Sequence, residues 1–196
     1  MISPRSHGWL LVGLLLASAV YGLAADRRLV NHSPTGFDTR SETPCRVEVE
    51  ERTVRGTSLE PFIHDGQPVT ILRGYYACHP VARGDLVVYR YAGHATPILK
   101  VVKAVPGDTF ALEPAADGSG IHLAINGALA TTSEGIPYTM DERSSRMLTL
   151  YVRDYRGVIP EQAVLLLGNQ PGGSLDSIRF GLVGQRELLG KAEPSG

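Results

Sequence analysis

Short apolar runs separated by turn residues fill most of the chain from residue 45 onwards. Some runs partly alternate between apolar and polar positions, as a strand with one solvated face does, and others are apolar throughout, as a buried strand is. Turn residues follow most of them, and Asn126-Gly127 is a strong hairpin signal. The pattern predicts a mainly β domain. The predicted strands are residues 46–54, 69–72, 85–91, 97–105, 109–112, 121–125, 148–152 and 163–167.

The N-terminal region has a different pattern, because residues 9–25 carry no charged side chain. As a helix rising ~1.5 Å per residue, they would reach about 25 Å, just short of a typical bilayer core. They are interpreted either as a cleaved signal peptide, with Ala17-Ser18-Ala19 as the cleavage site, or as an uncleaved transmembrane anchor. The anchor is favoured because the apolar run continues past that site. Either interpretation sends the rest of the chain across a membrane.

These patterns divide the chain into four parts. Residues 1–25 are the expected transmembrane anchor or signal peptide, residues 26–45 a polar linker, residues 46–190 the folded domain and residues 191–196 a tail. Within the domain, the polar stretch 141–146 is expected to be a solvated surface loop. No long amphipathic helix is expected after the anchor.

Charge and composition exclude several classes of function. The chain has 19 Lys and Arg against 20 Asp and Glu, and no basic run stands out. Nucleic-acid binding needs a concentrated positive surface, so no nucleic-acid partner is expected. The six histidines and two cysteines lack the spacing of a zinc site, so neither a metal nor another cofactor is expected.

The candidate chemistry begins at a glycine-led bend, residues 55–61, which carries Ser58. Alone, such a bend can be an ordinary structural turn. A serine hydroxyl becomes a nucleophile when a base takes its proton, and a lysine can be that base if burial lowers its pKa. Lys100 lies in an apolar strand, and alternation places Lys103 on the opposite face. The pattern alone leaves open whether Lys100 points inward.

A series of motifs, in order along residues 50–183, extends this hypothesis. They are Gly56-Thr57-Ser58-Leu59-Glu60-Pro61, Arg83-Gly84-Asp85-Leu86-Val87-Val88-Tyr89, the run 98–108, Ile125-Asn126-Gly127, the segment 158–169 and Ser174-Leu175-Asp176-Ser177. With these motifs the chain resembles the type I signal peptidase family of membrane-anchored Ser/Lys proteases. The lysine six residues before Pro106 is at the position of that family's general base, which selects Lys100 over Lys103.

The resemblance implies a mainly β fold: a signal-peptidase-like β-sheet catalytic domain of short antiparallel strands, preceded by one N-terminal transmembrane helix. It implies that Ser58 is the nucleophile and Lys100 the general base, and that the Ser58 backbone N–H, helped by Thr57, stabilises the oxyanion. The remaining implied site residues are Ser174, Asp176 and Arg179, which support the lysine, and Leu59 and Pro61, which bind the substrate.

Partners and a location also follow from the resemblance. The substrates would be exported preproteins or prepilins, cut after Ala-x-Ala-like sites. The enzyme would lie in the inner (cytoplasmic) membrane as a single-pass protein, with its catalytic domain on the periplasmic side. Disulfides persist in that compartment, so a bridge between Cys45 and Cys78 is a further hypothesis, with two unpaired buried thiols as its alternative.

Departures from the family pattern keep two alternatives open. The family's G-D-N-R reads Gly168-Asn169-Gln170-Pro171, and an arginine after the D-S pair is replaced by Ile178, with Arg179 one residue later. Strand alternation would turn Arg179 away from Asp176 unless the backbone bulges. The first alternative is a dedicated peptidase for pilin or conjugative-transfer maturation. The second is a catalytically weakened signal-peptidase-like binding or scaffold domain.

Overall fold

The computed structural model describes residues 27–32, 45–92 and 96–195. These residues form strands that pair in an antiparallel manner, together with two α-helices. The strands are β1 (Arg27–His32), β2 (Cys45–Thr53), β3 (Pro68–Arg73), β4 (Leu86–Tyr89), β5 (Ile98–Ala104), β6 (Phe110–Pro114), β7 (Ile121–Ile125), β8 (Ala128–Leu129), β9 (Thr139–Met140), β10 (Ala163–Leu167), β11 (Val183–Gly184) and β12 (Leu188–Pro194). The helices are α1 (Glu142–Asp154) and α2 (Ser177–Phe180). The mainly β prediction is therefore confirmed.

Eight of the strands form one sheet in the order β1-β2-β3-β12-β4-β5-β10-β11. β12 lies between β3 and β4, and its Lys191 pairs with Leu72 on one side and Val87 on the other. β4 in turn pairs with β5, which places Val87 beside Lys100. β6, β7 and β8 form a second, smaller sheet, in which β9 also pairs with β7.

The main buried cluster joins the small sheet to α1 and β10. Phe110, Leu123 and Leu148 are among its members, and each such buried side chain contributes about 1.5–3 kcal/mol relative to exposure. Val101 of β5 packs with Leu59 and Ile63 beside the large sheet, whereas its neighbour Val102 belongs to a different buried cluster on the other face. β5 is therefore packed on both faces, which makes it a rigid support for the side chains that it carries.

Helix α1 stands where a loop and a strand were predicted. The Asp141 side chain accepts a hydrogen bond from the Ser144 N–H, and the Ser144 hydroxyl accepts one from the Asp141 N–H, which forms a capping box. Leu148 is fully buried in the main cluster. The predictions of a loop over residues 141–146 and a strand over residues 148–152 are wrong, because the polar cap residues begin a helix whose apolar side packs on the small sheet.

Two segments expected outside the domain belong to the large sheet. β1 lies in the predicted linker and pairs with β2 as an edge strand. Residues 191–194, in the predicted tail, are part of β12 between β3 and β4. Gly190 permits this position, because a Cβ there would collide with the backbone of Leu72. Both segments were missed as strands because their composition is polar and the prediction relied on runs of hydrophobic residues.

The predicted transmembrane helix, residues 1–25, lies outside the described residues, as does segment 33–44 of the predicted linker. In the part of the chain that is described, neither helix has the length and apolar character needed to cross a membrane. The N-terminal anchor therefore stays a prediction from sequence.

Candidate active site

The bend that carries Ser58 begins where β2 ends. The Val54 N–H donates to the Gln67 carbonyl and the Gly66 N–H donates to the Val54 carbonyl, which closes a wide loop between β2 and β3. Gly56 has a φ of 96°, a backbone conformation that strongly favours glycine, and its N–H donates to Asp65 Oδ1 at 2.7 Å. The glycine that leads the bend thus lets the chain turn and present Ser58.

Lys100 points from β5 towards this bend. Its Nζ donates a hydrogen bond to Ser58 Oγ at 2.7 Å, although the two residues lie 42 positions apart in sequence. Lys100 is 3% exposed, so its amine is enclosed by protein. The structure therefore brings together the serine and the lysine that the motifs indicated.

Burial is the main cause of a lowered pKa for the Lys100 amine, since enclosure disfavours the charged form. The Asp176 carboxylate opposes this effect by attracting the ammonium. Lys103, the rival lysine, donates instead to the Thr131 carbonyl at 2.8 Å and lies over the Tyr138 ring. Strand alternation separates the two amines as predicted, and Lys100 is the one that reaches Ser58.

Asp176 is a fully buried carboxylate held by several donors. Its Oδ2 accepts from the Gly168 N–H at 3.0 Å and from the Ser174 hydroxyl at 2.8 Å, and its Oδ1 accepts from the Ile178 N–H at 3.0 Å. Ser174 was expected to hydrogen-bond Lys100; in the described residues its hydroxyl donates to Asp176 instead. The link from Ser174 to the lysine is therefore through Asp176.

Arg179 does not form the ion pair with Asp176 that the family pattern suggested. The segment after Ser174 is a turn into α2, with Asp176 as its N-cap, rather than a strand. Among the described residues, Arg179 instead donates from Nε to the Ser174 carbonyl at 3.1 Å. The exposed Arg179 guanidinium thus stabilises the backbone at Ser174, next to the buried Asp176 carboxylate.

Asn169, which the sequence reasoning did not select, fastens the serine bend to β10. Its N–H donates to the Ser58 carbonyl at 2.6 Å, and its Nδ2 donates to the Glu60 carbonyl at 2.7 Å and to Ser133 Oγ at 2.8 Å. Its Oδ1 accepts from the Ser133 N–H at 2.7 Å. A polar residue directly after the apolar run of β10 was the sequence signal that could have identified it.

Gly168, next to Asn169, allows close packing between the two halves of the site. A Cβ at this position would collide with Ser174 Oγ and would lie 2.8 Å from the Ser58 carbonyl oxygen. The Gly168 carbonyl in turn accepts a hydrogen bond from the buried Tyr138 hydroxyl. Gly168 is therefore required by proximity rather than by backbone conformation.

A cavity of about 560 Å³ opens beside Ser58 and Lys100. Leu59, a predicted substrate-binding residue, lines it while being 2% exposed. Pro61, the other predicted one, is exposed and is not part of the lining. The rest of the lining comes from residues 52–56, from residues 96–99 at the start of β5 and from Val69, Ile71, Arg73 and Val88.

Two further predictions concern the surroundings of the bend. Thr57 is exposed beside Ser58, and no acceptor for the Ser58 backbone N–H is found within the described residues. Cys78 is disulfide-bonded, and Cys45 is the other cysteine of the sequence. The pairing of Cys45 with Cys78 stays a prediction, because the Cys45 side chain lies outside what is described.

The family model and the relatives by sequence that match this chain agree on one family. The family model for signal peptidase, peptidase S26, matches residues 44–195. Signal peptidase IB of Staphylococcus aureus is 26% identical over 147 residues, which are 71% of this chain and 73% of that protein. Signal peptidase I of Bacillus caldolyticus is 26% identical over 143 residues, 71% of this chain and 75% of that protein. A crystal structure of a signal peptidase I from Enterococcus faecalis aligns with 57% of this chain and 96% of its own, at 20% identity and a TM-score of 0.34, too low to compare the sites.

Proposed function

Since this chain belongs to the signal peptidase family, peptidase S26, we propose that it removes signal or leader peptides from exported proteins with Ser58 as nucleophile and Lys100 as general base. Because the chain belongs to this family, it is one of the serine proteases that remove signal peptides. The observation that carries the assignment of residues is the 2.7 Å contact between Lys100 Nζ and Ser58 Oγ at a buried amine.

The proposed reaction is acyl transfer in two halves. Lys100, as a neutral amine, takes the proton of Ser58 Oγ while that oxygen attacks the scissile carbonyl carbon. The resulting ammonium then gives its proton to the leaving amine nitrogen, which breaks the peptide bond and leaves the substrate acylated on Ser58. A water molecule, deprotonated by Lys100, attacks the ester carbonyl carbon. The bond to Ser58 Oγ then breaks, the Lys100 ammonium returns its proton to that oxygen, and the substrate leaves as a carboxylic acid that ionises to a carboxylate.

Charge formed during this reaction has partners within the site. When Lys100 becomes an ammonium, the Asp176 carboxylate stabilises it electrostatically, which is the direction in which Asp176 acts on the Lys100 pKa. The Ser58 N–H is proposed to donate to the developing oxyanion. Such a donor typically contributes about 3–4 kcal/mol to the transition state. Gly56 N–H is occupied by Asp65, so Thr57 is the proposed second contributor.

The substrate is proposed to bind as an added strand beside Lys100. β5 pairs with β4 over residues 98–101 but with β10 only over residues 101–104. In the described part of the chain, the second edge of residues 98–100 is therefore without a partner strand, and an extended peptide can add there. The apolar part of the cavity next to this edge, which includes Leu59, Ile98 and Leu99, suits small side chains before the cleaved bond, as in Ala-x-Ala sites.

A single-pass anchor in residues 1–25 and a periplasmic catalytic domain belong to the same proposal. The support is the uncharged N-terminal segment and the disulfide bond of Cys78, which fits an oxidising compartment. The scaffold alternative is weaker than the enzyme, because a scaffold has no need to enclose a lysine amine beside a serine hydroxyl.

Cleavage of a reporter peptide with an Ala-x-Ala site tests the assignment. Ser58→Ala and Lys100→Ala should each lower kcat by a factor on the order of 10³ or more, as loss of a nucleophile or base does. Lys103→Ala is the matched control, because it removes a lysine from the same strand without touching Ser58. Full activity in Ser58→Ala or Lys100→Ala, in a folded protein, would end the proposal.

A further inference from the structure

Three charged residues, Glu50, Arg52 and Arg73, share the face of the large sheet that borders the active-site cavity. The register of β2 and β3 pairs Glu50 with Ile71 and Arg52 with Val69, so these side chains point to the same side as Arg73. Glu50 is fully buried, accepts a hydrogen bond from Arg73 Nε at 2.6 Å and forms an ion pair with the Arg52 guanidinium. Burial opposes ionisation of Glu50, but the two arginines outweigh it and lower its pKa.

Both guanidinium groups line the cavity and have N–H donors that the contacts with Glu50 do not use. Each has five N–H donors, and the Glu50 contacts use Arg73 Nε and Arg52 Nη2. The side chains of Arg52 and Arg73 are 49% and 25% exposed, and both line the cavity. Glu48 pairs with Arg73 and lies on the same face, but neither it nor Glu50 lines the cavity, so the charged groups of this cluster that border the cavity are the two guanidinium groups.

The rest of the lining adds to this positive potential. Arg55 also lines the cavity, and none of the lining residues is acidic. Among the described residues, no ion pair of Arg55 is found. Between the arginines and Lys100 the floor is apolar, formed by Val69, Ile71 and Val88. The cavity thus combines an apolar floor with a cationic end, which suits a side chain that has methylene groups and a carboxylate.

Sheet register places the cationic end at a useful distance from the base. Leu99 pairs with Val88, Val88 with Gly190 and Gly190 with Arg73. Three strand spacings separate Leu99 from Arg73, a distance of about 14 Å. A substrate strand on β5 runs along that strand and not across the sheet, so an upstream segment has to leave β5 and cross the cavity to reach the arginines. Leu99, Val88 and Arg73 all line the cavity along that path, and at about 3.3 Å per residue it corresponds to roughly four or five residues.

We infer that Arg52 and Arg73, held by the buried Glu50, form a subsite for an acidic side chain of the substrate upstream of the cleaved bond. This inference rests on the proposed peptidase function and deepens it, because such a subsite favours a restricted set of precursors over general processing. A substrate is preferred to a lipid headgroup as the occupant, since the arginines line the same cavity as Ser58.

The first experiment uses the wild-type full chain and matched peptides. The two peptides of a pair differ at one position, two to six residues before the scissile bond, where one carries Glu and the other Gln. The Ala-x-Ala residues are kept at all other positions. At one position, kcat/KM should be roughly 10-fold or more higher for Glu than for Gln, as a charge-assisted hydrogen bond predicts. High salt should reduce the ratio.

The second experiment removes the subsite. Arg52→Gln and the double variant Glu50→Gln/Arg73→Gln should bring the Glu-to-Gln ratio of kcat/KM close to one, because the Glu peptide loses its charged partner and the Gln peptide has none to lose. The double variant removes the buried carboxylate together with its partner, so it leaves no unpaired buried charge. Arg146→Gln, on the exposed surface of α1, is the matched control and should keep the wild-type ratio.

The outcomes separate this inference from the proposed function. If the wild type cleaves the peptides with equal efficiency for Glu and Gln at every position, the subsite is refuted and the peptidase stands. If no peptide is cleaved and Ser58 is unreactive, the peptidase proposal itself fails. If the Arg52 and Arg73 variants keep the Glu preference but lose binding to vesicles containing an anionic phospholipid, the arginines contact lipid and the inference is wrong.

Discussion

Lys100 holds its amine where a charged amine is unfavourable, and this property gives it a chemical role. Burial lowers the pKa of the amine, whereas Asp176 raises it, so the site balances enclosure against one carboxylate. A lysine with an ordinary pKa of about 10.4 would be almost entirely protonated at neutral pH and unable to accept the Ser58 proton. The depth of the lysine in the fold is therefore part of its function.

The pH dependence of kcat/KM should follow this amine. Activity should rise with pH as Lys100 loses its proton, and the inflection should lie below the ordinary lysine value of about 10.4. Steady-state rates on the reporter peptide between pH 5 and pH 10 would locate it. Asp176→Asn should move the inflection to lower pH, since the carboxylate raises the pKa. An inflection that stays in place in this variant would contradict the electrostatic role of Asp176.

Lys100→Met should abolish activity and raise the free energy of unfolding at neutral pH. Because the folded pKa is lowered, the unfolded chain binds more protons between the folded value and about 10.4, and the stability of the wild type rises with pH through that window. Below it, the wild type carries the full penalty of burying the charged amine. Lys100→Met should be inactive yet more stable at pH 7, measured by urea unfolding, and the difference should shrink at high pH. A destabilised Lys100→Met at pH 7 would contradict this account.

At the scale of elements, the site is a junction between the β2–β3 loop and the end of β10. Asn169 joins them because its amide both donates to the Glu60 carbonyl and accepts from the Ser133 N–H. An aspartate, which is the family's usual residue here, could not donate to that carbonyl when ionised. The departure from the family pattern thus has a local hydrogen-bonding explanation.

Asn169→Asp should loosen the serine bend without changing the base. We expect kcat to fall by about 10-fold or more, since small displacements of a nucleophile are costly, while the pH inflection due to Lys100 moves little. Gln170→Ala is a milder control, because among the described residues the Gln170 side-chain amide donates to the Thr57 carbonyl alone, at 3.0 Å. Steady-state kinetics of both variants over a range of pH would measure kcat and the pH inflection separately. Unchanged kcat in Asn169→Asp would show that the hydrogen bonds of Asn169 do not position Ser58.

The predicted and observed elements differ where polar residues cap a helix or belong to a strand. The apolar runs at 121–125 and 163–167 match β7 and β10, because continuous burial leaves a clear sequence signal. Helix α1 was missed because its capping box looks like a polar loop. For the site, motif order found Ser58 and Lys100, but Asn169 and the Arg52–Glu50–Arg73 cluster depend on tertiary contacts that spacing does not reveal.

At the scale of the whole molecule, the turn after β5 ties the two sheets together. Asp108 accepts hydrogen bonds from Arg83 Nε at 2.6 Å, from Asn126 Nδ2 at 3.0 Å and from the Val105 N–H at 2.8 Å. Arg83 precedes β4 of the large sheet, and Asn126 follows β7 of the small one. The hydrogen bond from Arg83 is the main cause that lowers the Asp108 pKa to about 2.

Asp108→Asn should destabilise the fold in a pH-dependent way. Loss of the charge-assisted hydrogen bonds should cost about 1–3 kcal/mol at neutral pH. The stabilisation by Asp108 is present above its unfolded pKa of about 3.9 and is lost as the pH falls towards the folded value. Urea unfolding of wild type and variant should therefore differ at pH 7 and converge as the pH approaches 2. An equal difference at both pH values would refute the role of the ionised carboxylate.

Mass spectrometry of the protein after reaction with a β-lactam-type acylating inhibitor tests the Ser58/Lys100 assignment most directly. We predict one covalent adduct, on the peptide that contains Ser58, formed by the wild type and by Lys103→Ala but not by Lys100→Met. Parallel peptide cleavage by the wild type shows that the preparation is active. An active preparation in which the adduct forms on another residue, or in which Lys100→Met is acylated on Ser58 as fast as the wild type, would contradict the account.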